Sequence, residues 1–261
     1  MANIQAISKA EFTKKSWKRY PDYSFASKDT VCPLGASELP RAMMGMPLAF
    51  VAADGEYSVV AVQGLHEGAN FFVDADGRWL DRYVPAAYRG YPFVLAENPS
   101  KKAELILCFN TDSGLLVDDV SGEPFFDDDL EVSKSVSQTF ELLSGLNASL
   151  EASTRCCKIL SGHGLLKPWK LEYETGKGTR QTDGLFCVDE AALRDLSGDA
   201  YAELRETGAI HMVYCQLLSM QRISDLTTVA RLKSEVEAQR QCNELDFDGL
   251  NADGNISFDN L

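Results

Sequence analysis

The sequence predicts an α+β fold: a strand-rich N-terminal half forming antiparallel sheet, packed with helices from the C-terminal half, in a single domain. Three observations predict it. Short apolar runs punctuated by Asp-Gly and similar turn dipeptides fill residues 47 to 117, and near residue 130 the apolar period changes to three and four. Nothing divides the chain, since it has neither an internal repeat nor a long Pro/Ser linker. With 261 residues, 45% of them apolar and 10% aromatic, it carries enough apolar surface for a substantial core.

The N-terminus interleaves Lys9, Lys14, Lys15, Lys18 and Arg19 with Phe12, Trp17 and Tyr20. The net charge of −14, from 25 basic and 39 acidic residues, sets up a field that repels nucleic acid and anionic lipid, so no nucleic-acid partner is expected. The basic stretch therefore reads as a solvated arm whose aromatics dock on the domain. Residues 47 to 53 and 57 to 63 flank Asp54-Gly55 as a β-hairpin, because Asp-Gly favours a tight turn with positive φ. Asn70 to Ala75 and Arg78 to Val84 flank Asp76-Gly77 as a second, and Tyr91 to Ala96 with Ala103 to Asn110 form a third pair around a polar loop. Gly114 to Val117 is expected to continue the sheet. These connections are too short for parallel crossovers, so the strands must pair antiparallel.

Val132, Val136, Phe140, Leu143, Leu146 and Leu150 form the stripe of an amphipathic helix that follows the acidic turn Asp127-Asp128-Asp129 and stops at Gly162-His163-Gly164. Residues 165 to 190 return to strand character, with Gly176-Lys177-Gly178 as a turn. Short helices are expected over 190 to 196 and 201 to 207. A nearly all-apolar helix over 210 to 223 reads as central and buried, and a last amphipathic helix should follow Ser224-Asp225 with Leu226, Val229, Leu232 and Val236 on one face, ending around Cys242. The domain is placed at residues 1 to 243. Residues 244 to 261 form an acidic, turn-rich tail.

Chemistry-bearing patterns are sparse. The seven cysteines are scattered without a Cys-x-x-Cys pair, and Cys108, Cys187 and Cys215 sit in apolar runs, as small buried hydrophobes do in a reducing compartment. Adjacent Cys156-Cys157 on a helix diverge by about 100°, which suits one buried and one peripheral thiol. His66, His163 and His211 have no metal-ligand spacing, and the Asp/Asn-rich tail does not fit the EF-hand register, so no metal and no cofactor is expected. No nucleophile elbow or phosphate loop occurs, and no catalytic residue is assigned. The N-terminus lacks the apolar region of a secretory signal and no apolar run approaches the roughly 20 residues of a membrane span, so a cytoplasmic protein without membrane insertion is expected.

One segment stands apart. Arg78 to Phe93 packs five aromatics, three arginines and two prolines into sixteen residues. Guanidinium forks bind carboxylates bidentately and aromatic rings supply rigid contact area, so Arg78, Trp79, Arg82, Tyr83, Tyr88, Arg89 and Tyr91 are the candidate binding residues, with Asp74, Asp76 and Asp81 beside them. The chemistry fits a protein partner or a small amino-acid or peptide ligand, and self-association stays open. A binding surface would expose these arginines beside an aromatic groove. An active site would instead enclose buried acids with shifted pKa values.

The chain also resembles the SapC family of bacterial proteins. The resemblance is carried by Tyr23-Ser24-Phe25-Ala26, Val31-Cys32-Pro33-Leu34, Glu38-Leu39-Pro40, Met46 to Phe50, Gly64-Leu65, the whole of Asn70 to Phe93, Gly184 to Glu190 and Leu217 to Met220. It implies a protein related to a paracrystalline surface layer, or an accessory in nutrient uptake, with no catalytic residues to carry over. Members of that family tend to be found alongside outer-membrane nutrient receptors, flavin-dependent halogenase-like proteins and cupin-like proteins, so the resemblance implies as an alternative an enzyme or enzyme accessory acting on an amino-acid or peptide substrate with a halogenase-like or cupin-like partner. A permease subunit of a peptide transporter shares the family's name, and the missing membrane span sets that meaning aside.

Overall fold

In the computed structural model, which describes residues 3–98, 101, 104–119, 121–175 and 178–232, the N-terminal residues are woven into two small sheets. Strand β1 (Ile4–Ala6) leads through the one-turn helix α1 (Lys9–Phe12) to β2 (Ser16–Trp17). Phe12 and Trp17 are buried, while Lys9, Lys14, Lys18 and Arg19 stay exposed. The basic arm is thus a structural part of the fold, because two of its three aromatics, Phe12 and Trp17, enter a cluster with Phe93, Phe109 and Phe125, where Phe12 meets Phe125 edge-on at 4.8 Å.

The main sheet begins at β3 (Val31–Pro33), followed by the short helix α2 (Leu39–Ala42) and the hairpin β4 (Leu48–Ala53) and β5 (Glu56–Val62). Asp54 and Gly55 both take positive φ, 51° and 81°, the pairing that a right-twisted two-residue turn requires. Helix α3 (Ala86–Arg89) precedes β6 (Phe93–Glu97) and β7 (Leu105–Asn110), which pair with each other, and β7 pairs with β1 on its other edge. Beyond them β8 (Leu116–Val117) and β9 (Glu123–Pro124) flank β2. The expectation that Gly114 to Val117 extends the neighbouring sheet is corrected here: Gly114, at φ 72°, turns the chain away so that Leu116 pairs with Trp17.

After Ser133 comes α4 (Lys134–Gly162), and β10 (Leu166–Pro168), β11 (Leu171–Thr175), β12 (Gly178–Thr182) and β13 (Leu185–Val188) follow. Strands β10 and β13 join the hairpin and β3 in one antiparallel sheet of order β10-β13-β4-β5-β3, while β11 and β12 form a separate two-stranded ribbon. Alternation along the strands gives this sheet two different faces. Leu48, Phe50, Val59, Ala61, Cys32 and Val188 point to the face covered by α4 and by a later helix over Ala209–Ser219. Ala49, Val60, Val62 and Leu185 point the other way, toward Leu171 and Tyr173 of the ribbon and Leu226 of the helical stretch 223–232.

Helix α4 is N-capped by the Ser133 side chain, which accepts from the Val136 amide, and not by the aspartate turn upstream. Val132 lies outside the helix and Phe140 is exposed, so the buried arc starts at Val136 and Leu143. Both Cys156 and Cys157 are buried. The divergence of neighbours does not leave one thiol outside, because α4 is sandwiched between the sheet and the C-terminal helices: Cys156 Sγ lies 3.6 Å from the Thr207 carbonyl and Cys157 Sγ lies 3.7 Å from Met212 Sδ.

Helices α5 (Glu190–Arg194), α6 (Gly198–Thr207) and α7 (Ala209–Ser219) complete the C-terminal layer, with Gly208 at φ 79° separating the last two. Helix α7 is buried along Met212, Val213, Gln216 and Ser219 but exposes His211, Tyr214 and Leu218. Its apolar circumference is therefore only half used. Gln216 fixes the inward half, accepting from the Val188 amide at 3.0 Å and donating to the Leu48 carbonyl at 3.2 Å, while the Ser219 hydroxyl accepts from the Leu48 amide at 2.9 Å. These bonds satisfy backbone groups of β4 and β13. The helical stretch 223–232 continues from a 3-10 turn over 220–222, so Ser224 does not begin it. Gly176-Lys177, the expected continuation of the last helix through Val236 to Cys242, and the acidic tail at 244 to 261 lie outside the described residues.

Candidate functional site

The segment from Asn70 to Phe93 does not fold as the regular hairpin its sequence suggests. Asp74 Oδ1 accepts from the amides of Asp76 (2.9 Å) and Arg78 (2.8 Å), which closes a tight turn around Gly77 at φ 79°. Only Val73 and Trp79 make a strand-like bridge, with Leu80 N donating to the Phe72 carbonyl. The chain then curls instead of extending, because the Trp79 indole Nε1 donates to the Tyr83 carbonyl at 2.9 Å and Val84-Pro85 leads straight into α3. Gly77 also seats the turn on the 20s loop. Its carbonyl accepts from Tyr23 N, and any Cβ at Gly77 would crowd the Asp22 carboxylate and the Ser24 hydroxyl.

The docked loop supplies the other half of an aromatic surface. Trp79 meets Tyr23 at 5.6 Å, stacks on Phe72 at 5.7 Å and meets Tyr88 edge-on at 5.7 Å. Tyr91 lies flat on Phe25, ring centroids 3.9 Å apart, and Tyr20 closes the set against Tyr23, Phe25 and Tyr91. Tyr88 is buried beneath, while Tyr20, Tyr23, Phe25, Trp79, Tyr83 and Tyr91 remain partly open. Ring contacts of this kind hold side chains in fixed orientations, leaving little entropy to lose on binding.

A buried polar layer anchors these rings. Glu38, 6% exposed, accepts three hydrogen bonds: Tyr83 OH at 2.6 Å and Ala86 N at 2.9 Å on one oxygen, Gly35 N at 2.8 Å on the other. Tyr88 OH donates to Gln63 Oε1 at 2.7 Å, and Asn70 Nδ2 donates to the Ala26 carbonyl. Burial raises the Tyr83 and Tyr88 hydroxyls well above the ordinary tyrosine range, with Glu38 adding to the effect on Tyr83. Burial also pushes Tyr20 up to about 12 and the Cys32 thiol up to about 12. The nucleophile-capable groups here are therefore held protonated near neutral pH, which suits structure and not attack.

The three arginines behave differently. Arg78 is exposed, its guanidinium 4.0 Å from Asp76, an ion pair that water weakens. Arg82 is exposed and makes no side-chain hydrogen bond or ion pair among the described residues. Arg89 lies 5.1 Å over the Tyr83 ring, donates through Nε and Nη2 to the Val84 carbonyl, and reaches electrostatically to Tyr20. Of the acids, Asp74 closes the turn, and Asp81 accepts from Arg82 N at 2.7 Å and packs its other oxygen against Gly45.

The structure thus joins Trp79, Tyr83, Arg89 and Tyr91 in one connected surface above Tyr88, whose burial removes it from the candidate binding residues, with Arg78 and Arg82 exposed on the same segment. Sequence reasoning missed Tyr20, Tyr23, Phe25 and Glu38 as members. The density of aromatics in residues 20 to 25 was the available signal. Among the described residues no group of three or more His, Cys, Asp or Glu side chains is placed to hold a metal ion, and no helix is long and apolar enough to cross a membrane.

Comparison with protein families matches residues 7–226 to SapC, a stretch that includes both halves of this surface and the main sheet. The chain belongs to the SapC family. No curated protein and no solved structure gives a significant match. The match gives this SapC protein a family but no reaction, so its function rests on the geometry of its surfaces.

Proposed function

We propose that this SapC protein is a binding or assembly protein that uses the aromatic-arginine surface to hold a carboxylate-bearing peptide segment, free or presented by a protein partner. The observation that carries the reading is the division of labour in the segment: the rings are fixed by contacts and by the Glu38 layer, while the Arg82 guanidinium is exposed and unengaged among the described residues. A rigid aromatic base on the same segment as a free guanidinium supplies the two kinds of contact that a carboxylate and an apolar side chain need. A catalytic reading draws less support, since the enclosed acid, Glu38, already accepts three hydrogen bonds and Cys32 is raised far from a thiolate. The six cysteines within the described residues are unpaired and buried, which supports a cytoplasmic role, and a link to a surface layer or to nutrient uptake is part of the same proposal.

Thermal-shift and calorimetric titration with Glu-Phe, Asp-Tyr and their C-terminal amides tests the reading. The free-acid dipeptides should stabilise the protein, the amides should do so less, and Arg82→Ala should reduce the response at least fivefold. Equal responses to acids and amides, or none to any dipeptide, would overturn it.

A further inference from the structure

The second face of the main sheet carries a cleft that the aromatic-arginine surface does not touch. Its floor is apolar: Val31, Val51, Val62, Leu65, Tyr173 and Leu185 line it. Strand register explains why these residues meet, since Val31 pairs with Val62 across β3 and β5 while Val51 pairs with Leu185 across β4 and β13. Among the described residues this face is covered by the two-stranded ribbon, the stretch 223–232 and loop side chains such as Phe71 and Trp169, which leave a cleft between them, whereas a 29-residue helix covers the other face. Its volume is about 500 Å³, within the range of about 300 to 1,000 Å³ typical of small-molecule sites.

The rim differs from the floor. Arg180 and Asp183 come from the ribbon and the turn after it, and His66 and Glu67 from the loop after β5. Arg180, Glu67 and Asp183 are exposed and enter no ion pair among the described residues. This is one cation and two anions at the mouth of an apolar trough. The loop that carries Glu67 is held in place from below. Gly64 N donates to the Thr30 carbonyl, Thr30 Oγ1 donates to the His66 carbonyl at 3.2 Å, and the His66 ring meets Phe71 edge-on at 5.6 Å. The rim is consequently preformed on that side.

We infer that this cleft binds a free amino acid with an apolar side chain, its carboxylate on Arg180, its ammonium between Glu67 and Asp183, and its side chain on the Val31, Val62 and Leu185 floor. The charge pattern selects this class. A fatty acid would leave both rim carboxylates without a counterion, and a simple amine would leave Arg180 without one, whereas a zwitterion complements all three. An apolar side chain of leucine or phenylalanine size fits the volume and removes valine and leucine surface from water at roughly 25 cal/mol per Å².

Calorimetric titration of the full chain with L-leucine and L-phenylalanine, beside N-acetyl-leucine and leucinamide, reads the proposal. Both free amino acids should bind in the micromolar to low millimolar range. Blocking either the amine or the carboxyl should weaken binding at least tenfold, and Arg180→Ala and Glu67→Gln should each do the same. Methyl resonances of Val31, Val62 and Leu185 should shift on addition of leucine, which places the ligand independently of any variant. Absence of shifts at 10 mM leucine, or binding that survives Arg180→Ala unchanged, overturns the proposal. The dipeptide response tested through Arg82 belongs to the other surface, so either site can fail without the other.

Discussion

The aromatic-arginine surface and the cleft differ in what their polar groups already do. In the surface built from residues 20 to 25 and 70 to 93, the main polar side chains serve the chain itself: Glu38 takes three donors, Asp74 closes a turn, Arg89 caps Val84 and Tyr88 holds Gln63, while Arg82 stays free and Asp81 Oδ2 and Gln63 Nε2 are buried without hydrogen-bond partners among the described residues. At the cleft the floor is packed, yet Arg180, Glu67 and Asp183 sit at the mouth without ion-pair partners among the described residues. The difference teaches that density of chemistry-bearing residues marks where a fold is hard to build. Unused polar groups above a concave apolar floor mark where it can receive something.

Removing the centre of the first region should have the largest effect. Glu38→Ala strips the acceptor from Tyr83 OH, Gly35 N and Ala86 N at once, and buried donors left without partners cost about 1–3 kcal/mol each. A loss of about 3–5 kcal/mol in urea unfolding is expected, together with weaker near-ultraviolet circular dichroism from the loosened rings. A loss below about 1 kcal/mol would mean that the Glu38 layer does not hold the surface, and the contrast between the regions would collapse.

The cleft has its own vulnerable point at a glycine. A methyl group on Gly64 would overlap the Ala69 carbonyl oxygen, and backbone cannot yield as a flexible side chain does. Gly64→Ala should cost about 1–3 kcal/mol, as overpacking does. It should also open the 64 to 69 loop, so that leucine binding is lost while the dipeptide response remains. Loss of both responses together would show that the two regions are mechanically one.

A third test uses protons. Tyr20 and Cys32 are raised to about 12 from ordinary values of 10.0 and 9.0, and Tyr83 and Tyr88 are raised further. The folded state keeps protons that the unfolded chain releases, so stability is fully present below pH 9 and falls as pH rises from 9 through about 12. Denaturation midpoints measured across that range should drop steeply, and Tyr20→Phe with Cys32→Ala should flatten the drop. Arg180→Ala should leave its shape unchanged, because the buried groups responsible, Tyr20, Cys32, Tyr83 and Tyr88 around the aromatic surface and Cys157 in α4, include no residue that lines the cleft.

The legibility of the molecule follows the same division. The hairpin at Asp54-Gly55, the β6–β7 pair and the long helix were readable because each is fixed by local turn chemistry or by a sustained period. The second hairpin was misread because the Trp79 indole and the Glu38 carboxylate bend it, and those are tertiary bonds without a local sequence signal. Half the aromatic surface was visible in residues 78 to 91. The other half lies more than 50 residues earlier, and no periodicity joins them. The cleft was wholly invisible, because its lining comes from strands β3, β4, β5, β11, β12 and β13, and residues such as Val51 and Thr182 look like ordinary strand positions until sheet order is known.

The smallest expected effect on stability is also the sharpest test of the comparison. Arg82 and Arg180 are both exposed guanidinium groups without ion pairs among the described residues, one on each region. Exposed side chains away from caps and buried networks contribute little to folding, so Arg82→Ala and Arg180→Ala should each leave the urea midpoint where it was. Their binding phenotypes should be mirror images: Arg82→Ala loses the dipeptide response and keeps leucine, Arg180→Ala loses leucine and keeps the dipeptide. An arginine that fails to disturb its own ligand while lowering stability would be a structural residue after all. The inference that unused charge marks a receiving site would then fail for that region and stand only for the other.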